Sequence, residues 1–144
     1  MFSKSCNYAI KASIFIAKYS LENEKVGFVD IAKEIDSPQA FTAKILQTLV
    51  KAGIIDSVKG VNGGFYIPMR RISRTFLVQI VLSIDGDLVF RGCGLGLNKC
   101  DENHPCPVHE KFKSIRDELS DMLHTTNLEE LALGIKSGGT FLKS

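Results

Sequence analysis

The sequence predicts a mainly α fold with a small β-hairpin, a winged helix-turn-helix followed by a long dimerisation helix. Three observations predict it: two helical periodicities separated by the short break Asp36-Ser37-Pro38, a glycine-tipped hairpin pattern directly after them, and a narrow apolar seam far downstream.

From Tyr8 to Tyr19 the apolar residues Tyr8, Ala12, Phe15, Ile16 and Tyr19 recur at helical spacing, with Lys4, Lys11 and Lys18 off the stripe. A second helix spans Phe28 to Ile35, with Phe28, Ile31, Ala32 and Ile35 on its apolar side, and it stops where Pro38 cannot extend it. Ser37 is placed to cap a third helix with Pro38 as its first residue, and the apolar positions Ile45, Leu46, Leu49 and Val50 run on to a Gly53 stop. The β-favouring runs Ile54-Ile55-Asp56-Ser57-Val58 and Phe65-Tyr66-Ile67 enclose Lys59-Gly60-Val61-Asn62-Gly63-Gly64, which reads as a wing. Phe76, Leu77, Ile80, Val81 and Ile84 form a further stripe ended by Asp85-Gly86, and Asp87 to Pro107 has little periodicity. After Val108, the residues Phe112, Ile115, Leu119 and Met122 form a seam narrow enough to pack along a partner helix, which makes them the candidate dimerisation contacts. Thr126 with Glu129 has the form of a capping box opening a last short helix through Leu128, Leu131 and Ala132.

At 144 residues, with 44% hydrophobic and 24% charged residues, the composition is that of one soluble compact domain. No apolar run approaches the ~18 residues that span a bilayer. The amino terminus has no secretory pattern, so a cytoplasmic protein with no membrane partner is expected. Residues 1–74 hold eleven Lys/Arg against six Asp/Glu, a balance of +5, and residues 75–144 hold seven against ten, a balance of −3. That polarity suits a nucleic-acid-facing front, since phosphate neutralisation supplies much of DNA affinity.

In a helix-turn-helix the second helix enters the major groove with its N-terminal, outward residues toward the base edges. Here these are Gln39, Ala40, Ala43, Lys44 and Gln47. Gln can pair with adenine and Lys with guanine, whereas the alanines offer only methyl contact. Phe41 suits either the core or a thymine methyl. At the wing, Lys59 is the cation near the tip and could reach the minor groove or a phosphate, with Asn62 beside it. Helix, helix and hairpin also build protein-binding modules, so the fold alone does not specify a DNA partner.

Four cysteines occur, and Cys93, Cys100 and Cys106 lie together in the pattern C-x6-C-x5-C-x2-H that ends at His109. In a reducing compartment such clustering points to metal or redox chemistry. Gly92, Gly94 and Gly96 let the backbone wrap a bulky inorganic core, thiolates are the ligands of iron-sulfur clusters, and His109 can supply a fourth donor. Zinc competes, because Cys3His is a recognised tetrahedral site, although the close cysteine pairs usual in zinc modules are absent. Ordinary thiols are the bland alternative. Cys6 reads as buried packing and His104 as a surface histidine. No C-x-x-C pair and no nucleophile with base and orienting acid is present, so no enzyme is expected.

Taken together, Ser5-Cys6-Asn7-Tyr8-Ala9, the stretch Phe41-Thr42-Ala43-Lys44-Ile45-Leu46 leading to Leu49, Ala52-Gly53-Ile54-Ile55, and Ser57-Val58-Lys59-Gly60 with Gly63-Gly64-Phe65 resemble the Rrf-type family of bacterial transcription regulators. That family includes the iron-sulfur cluster assembly regulator and the nitric-oxide-sensing repressor. The resemblance covers nearly the whole chain and implies a homodimer with a long crossing helix and a cluster loop near the other subunit's DNA-binding domain. By position it makes Cys93, Cys100 and Cys106 the cluster cysteines and His109 the histidine ligand. The first cysteine gap is one residue longer than in the assembly regulator, which leaves a 2Fe-2S or a 4Fe-4S cluster open. Asn7 stands where some nitric-oxide-sensing members offer an aspartate, and an amide is a poor substitute. Lys59 replaces the usual wing arginine, and Lys44 a glutamine, implying a different operator. The resemblance thus implies a winged helix-turn-helix DNA-binding domain over 1–75, with the cluster-binding loop and dimerisation helices over 76–144. It describes a sequence-specific regulator whose affinity for a double-stranded DNA operator is set by an iron-sulfur cluster sensing redox state, oxygen, nitric oxide or cluster supply. The alternatives are a zinc- or thiol-based regulator and a metal-stabilised protein-interaction module.

Overall fold

A computed structural model describes residues 1–144. In chain order the elements are α1 (Lys4–Leu21), α2 (Phe28–Glu34), α3 (Gln39–Lys51), β1 (Asp56–Val58), β2 (Gly64–Tyr66), α4 (Met69–Ile72), α5 (Leu77–Asp85), α6 (Leu88–Arg91), α7 (His109–Thr125) and α8 (Leu128–Lys136). The mainly helical fold with one antiparallel hairpin agrees with the sequence expectation; α4 and α6 are single turns that no periodicity announced.

Helix α1 is the central post. Ser3 caps it by accepting the Cys6 N–H at 3.0 Å, and Ser3 is itself held by hydrogen bonds to the Asp85 carboxylate at the end of α5. The sequence shows one apolar stripe, yet every residue from Ala12 to Ala17 is buried. The cause is tertiary: α2 and α3 pack against α1, and so do α5 and α8, so no face is left for water. The resulting core runs without a break from Ile16, Leu46 and Leu49 to Ile80, Val81, Leu123 and Leu128.

Ser20 shows how α1 also holds the wing. Its buried hydroxyl donates to the Ile16 carbonyl at 2.8 Å and accepts the Ile67 N–H at 2.9 Å. Removing it strands a buried donor, which costs about 1–3 kcal/mol. Ser20→Ala is therefore expected to lower unfolding stability by about that amount in a denaturant titration; a loss within experimental error would mean that water or another acceptor serves Ile67.

In the helix-turn-helix, α2 buries Ile31 and Ala32, and Ile35 just after it is buried as well, but Phe28 is exposed rather than part of the packed stripe. The start of α3 corrects the expectation by one residue. Pro38 is the cap, with φ −57° and ψ 138°, and Ser37 makes no capping bond to the helix. The Pro38 carbonyl accepts both the Thr42 N–H and the Thr42 hydroxyl at 2.9 Å, so the first turn is secured through the proline carbonyl instead.

The wing pairs Asp56 with Tyr66, Ser57 with Phe65 and Val58 with Gly64. Gly63 is required at the tip, since a Cβ there would lie 2.1 Å from the Val58 carbonyl oxygen. Val26 extends the ribbon by an isolated antiparallel bridge to Phe65. Arg71 on α4 fixes the wing's approach, donating to the Gly53 carbonyl at 2.7 Å and to the Asp56 carboxylate at 2.8 Å.

The last capping box also lies one residue later than expected. Asn127 and Glu130, rather than Thr126 and Glu129, exchange reciprocal bonds of 2.9 Å. The main chain stays extended through Thr126 and Asn127, held by an isolated bridge of Phe76 to Asn127 in which the Thr126 carbonyl accepts the Leu77 N–H at 3.0 Å, so the helix opens one residue later.

Candidate DNA interface and cysteine loop

Helix α3 turns Thr42, Ile45, Leu46 and Leu49 into the core, and its opposite side follows from the helical period. Gln39, Ala40, Lys44 and Gln47 are exposed there and Ala43 is half-buried. The ambiguity at Phe41 resolves toward packing: its ring meets Tyr8 edge-on at 5.7 Å between centroids. Lys4 and Lys11 each place an ammonium 5.9 Å from the same Tyr8 ring, adding two cations beside the start of α3 that periodicity alone had assigned only to an outer face. At the wing, Lys59 and Asn62 are both exposed. Neither Lys44 nor Lys59 takes part in an ion pair, so both are available to an external anion.

The second cluster of chemistry lies between α6 and α7. All four cysteines are free thiols, and their settings differ sharply. Burial, with the Asp85 carboxylate alongside, pushes the Cys6 thiol up to about 12 and leaves it inert at neutral pH. Cys93 shifts the other way. Backbone N–H groups of Leu97, and then of Leu95 and Gly96, point at its sulfur, and with the Cys106 thiol beside it they hold its pKa below the usual thiol value. Such a nest of amides is a cradle for a thiolate.

Cys100 has a different partner: its sulfur lies 3.4 Å from Nδ1 of His109. His109 is the first residue of α7 and only 5% exposed, and its other ring nitrogen, Nε2, is buried without a hydrogen-bond partner. Asp101 is taken up in its own turn, its carboxyl held below the usual range first by the Asn103 N–H and then by Lys99. The loop is seated on α7 through Gly94, where a Cβ would fall 2.3 Å from the Phe112 ring.

The four sequence-predicted ligands thus share one loop and helix junction but form two couples, Cys93 with Cys106 and Cys100 with His109. No three His, Cys, Asp or Glu side chains converge as the ligands of a single metal ion. The donor chemistry nevertheless fits an iron-sulfur cluster, which needs terminal ligands spread over more than one iron. The amide cradle at Cys93 and the orphaned nitrogen of His109 are the features such a group would satisfy.

Of the expected dimerisation contacts, Phe112, Ile115 and Met122 are 40%, 58% and 43% exposed, and Leu119 is half-buried against the core. Sequence reasoning missed Arg116, which donates to the Gly92 carbonyl at 2.7 Å and to the Cys100 sulfur at 3.4 Å. Its spacing of seven residues from His109 was the signal that could have found it.

Comparison with known proteins gives a consistent picture. Residues 2–133 match the family model Rrf2, described as an iron-dependent transcriptional regulator. An HTH-type transcriptional regulator of Aquifex aeolicus is 30% identical over 135 residues, which cover 91% of this chain and 90% of that protein. The HTH-type transcriptional regulator IscR of Xenorhabdus nematophila is 26% identical, with coverage of 86% and 74%. Among solved structures, CymR, the global cysteine regulator of B. subtilis, superimposes with a TM-score of 0.74 at 21% identity over 92% of this chain and 96% of its own, a likeness of fold.

Proposed function

The chain belongs to the Rrf2 family of transcription regulators, and from that premise we propose that it binds operator DNA as a homodimer with an affinity set by an iron-sulfur cluster held by Cys93, Cys100, Cys106 and His109. The observation that carries this reading is His109, all but buried, with Nδ1 against Cys100 and Nε2 without a hydrogen bond, the Glu110 carboxylate standing 4.0 Å away. An unsatisfied buried nitrogen costs about 1–3 kcal/mol, so such a site is explained most simply by an external partner. Three cysteine sulfurs and an imidazole on one glycine-rich loop would suit an iron-sulfur cluster, whereas the close cysteine pairs usual in zinc modules are absent. When bound, the cluster supplies iron chemistry sensitive to redox state, oxygen or nitric oxide.

The chain's own residues provide the link from loop to DNA. Phe112 packs on Gly94 of the loop and also belongs to the exposed seam of α7, so a change in loop conformation displaces a side chain of the dimer contact. In a dimer the spacing of the two α3 helices must match the half-sites, and a shift in that spacing alters operator affinity. Gln39, Ala40, Ala43, Lys44 and Gln47 then face base edges, Phe41 braces the helix, and Lys59 and Asn62 meet the adjacent backbone. No helix is long and apolar enough to cross a membrane, and the free thiols accord with a cytoplasmic setting.

The test is anaerobic purification with iron, zinc and sulfide analysis, followed by a gel shift of promoter DNA with loaded and cluster-free protein. Iron and sulfide together, with operator affinities differing about 5- to 150-fold between the two forms, are expected. Stoichiometric zinc without sulfide establishes the zinc alternative. Metal-free protein whose binding responds to thiol oxidants establishes a thiol-based regulator. Lys59→Ala is expected to weaken binding to all sequences alike and to reduce the slope of log K against log salt by about one. An unchanged slope in a salt series removes Lys59 from the phosphate contacts.

A further inference from the structure

Arg116 belongs neither to the DNA face nor to the ligand set, and its surroundings are unusual for an arginine. His109, Phe112 and Arg116 occupy helix positions three and four apart, so all three share the face of α7 that meets the cysteine loop. The guanidinium is partly buried, forms no ion pair with a carboxylate, and has its Nε buried without a hydrogen-bond partner. Its acceptors are the Gly92 carbonyl, next to Cys93, and the sulfur of Cys100. A half-buried cation needs an anionic partner to offset its lost hydration. The group placed to be that partner is the sulfur.

We propose that Arg116 is a positioning residue for the cluster, pinning the start of the loop at Gly92 and acting through Cys100 as the counter-charge that favours the more negative, reduced state of whatever the loop holds. The proposal rests on the cluster reading above. One fork of guanidinium N–H groups performs both tasks, which distinguishes it from lysine, a point charge that can supply the field but not the same pair of directed bonds. Because Arg116 directly follows Ile115 of the seam, it also ties the charge state of the loop to the helix that carries the dimer contact.

The experiment compares wild type, R116Q and R116K as full-length dimers reconstituted anaerobically with ferrous iron and sulfide. Midpoint potentials are read by visible absorption, and hydrogen exchange of residues 92–108 is measured in the cluster-free proteins. R116Q is expected to lower the reduction equilibrium constant about tenfold, roughly 59 mV for a one-electron couple, and to speed amide exchange in the loop. R116K is expected to recover most of the potential but not the slow exchange. R116Q that loads normally at the wild-type potential overturns the proposal. If R116Q does not retain the cluster, R116K decides: loading with a near wild-type potential supports the counter-charge role, and loading by neither variant shows a purely structural anchor and overturns it. A wild-type chain that takes up no iron and sulfide sinks the cluster reading and this proposal together, whereas a loaded wild type with an indifferent R116Q sinks Arg116 alone.

Discussion

Ile115→Asp is expected to convert the protein from twice to once its 15.9 kDa chain mass in light scattering, and to remove operator binding in the same concentration range. Ile115 is 58% exposed at the centre of the α7 seam, flanked by Phe112 and Met122, whereas Leu123, about two turns further along the helix, is fully buried in the chain's own core. Covering an isoleucine is worth about 1.5–3 kcal/mol, and an isologous dimer places the same residue of both copies in the contact, so a carboxylate there costs that burial twice and adds two desolvated charges. The variant's own fold should persist, because no core contact is lost. DNA binding falls with dimerisation because one winged helix reads only one half-site. A variant that stays dimeric would move the interface off this seam, with the exposed Leu88, Leu95 and Leu97 as the next apolar surface to examine.

Single replacements of Cys93, Cys100 or Cys106 by Ser are expected to abolish iron, sulfide and visible absorbance in anaerobically purified protein, while Cys6→Ser retains all three. The contrast follows from environment. Cys93 sits in a cradle of N–H groups that favours its thiolate, whereas Cys6 is fully buried with its thiol raised to about 12 and cannot present a thiolate near neutral pH. Unchanged iron and sulfide in all three loop variants would falsify the ligand assignment. Loss of iron in Cys6→Ser would instead point to a folding defect, which a thermal melt of the cluster-free protein resolves.

Several features of this protein are legible from neighbouring residues alone. The break at Asp36-Ser37-Pro38, the glycine tip of the wing and the spacing of Phe112, Ile115, Leu119 and Met122 depend on local turn chemistry and helical period. So the helices of the helix-turn-helix and the hairpin follow from neighbouring residues, and the cysteine pattern marks a candidate place for metal or redox chemistry. Capping was misplaced by one residue at both Ser37 and Thr126; at the second, the main chain is bonded to Leu77, a residue far away in the chain. Local pattern carries no trace of such a contact.

Tertiary structure alone decided which groups meet. It buried α1 on all sides by packing helices from both halves of the chain around it, and it turned Phe41 onto Tyr8. It sorted four candidate ligands into two couples and brought Arg116 from the seam helix onto Cys100. Periodicity specifies the face on which a side chain stands, whereas the partner across that face is set by how the helices pack, and charge and hydrogen bonding respond to the partner.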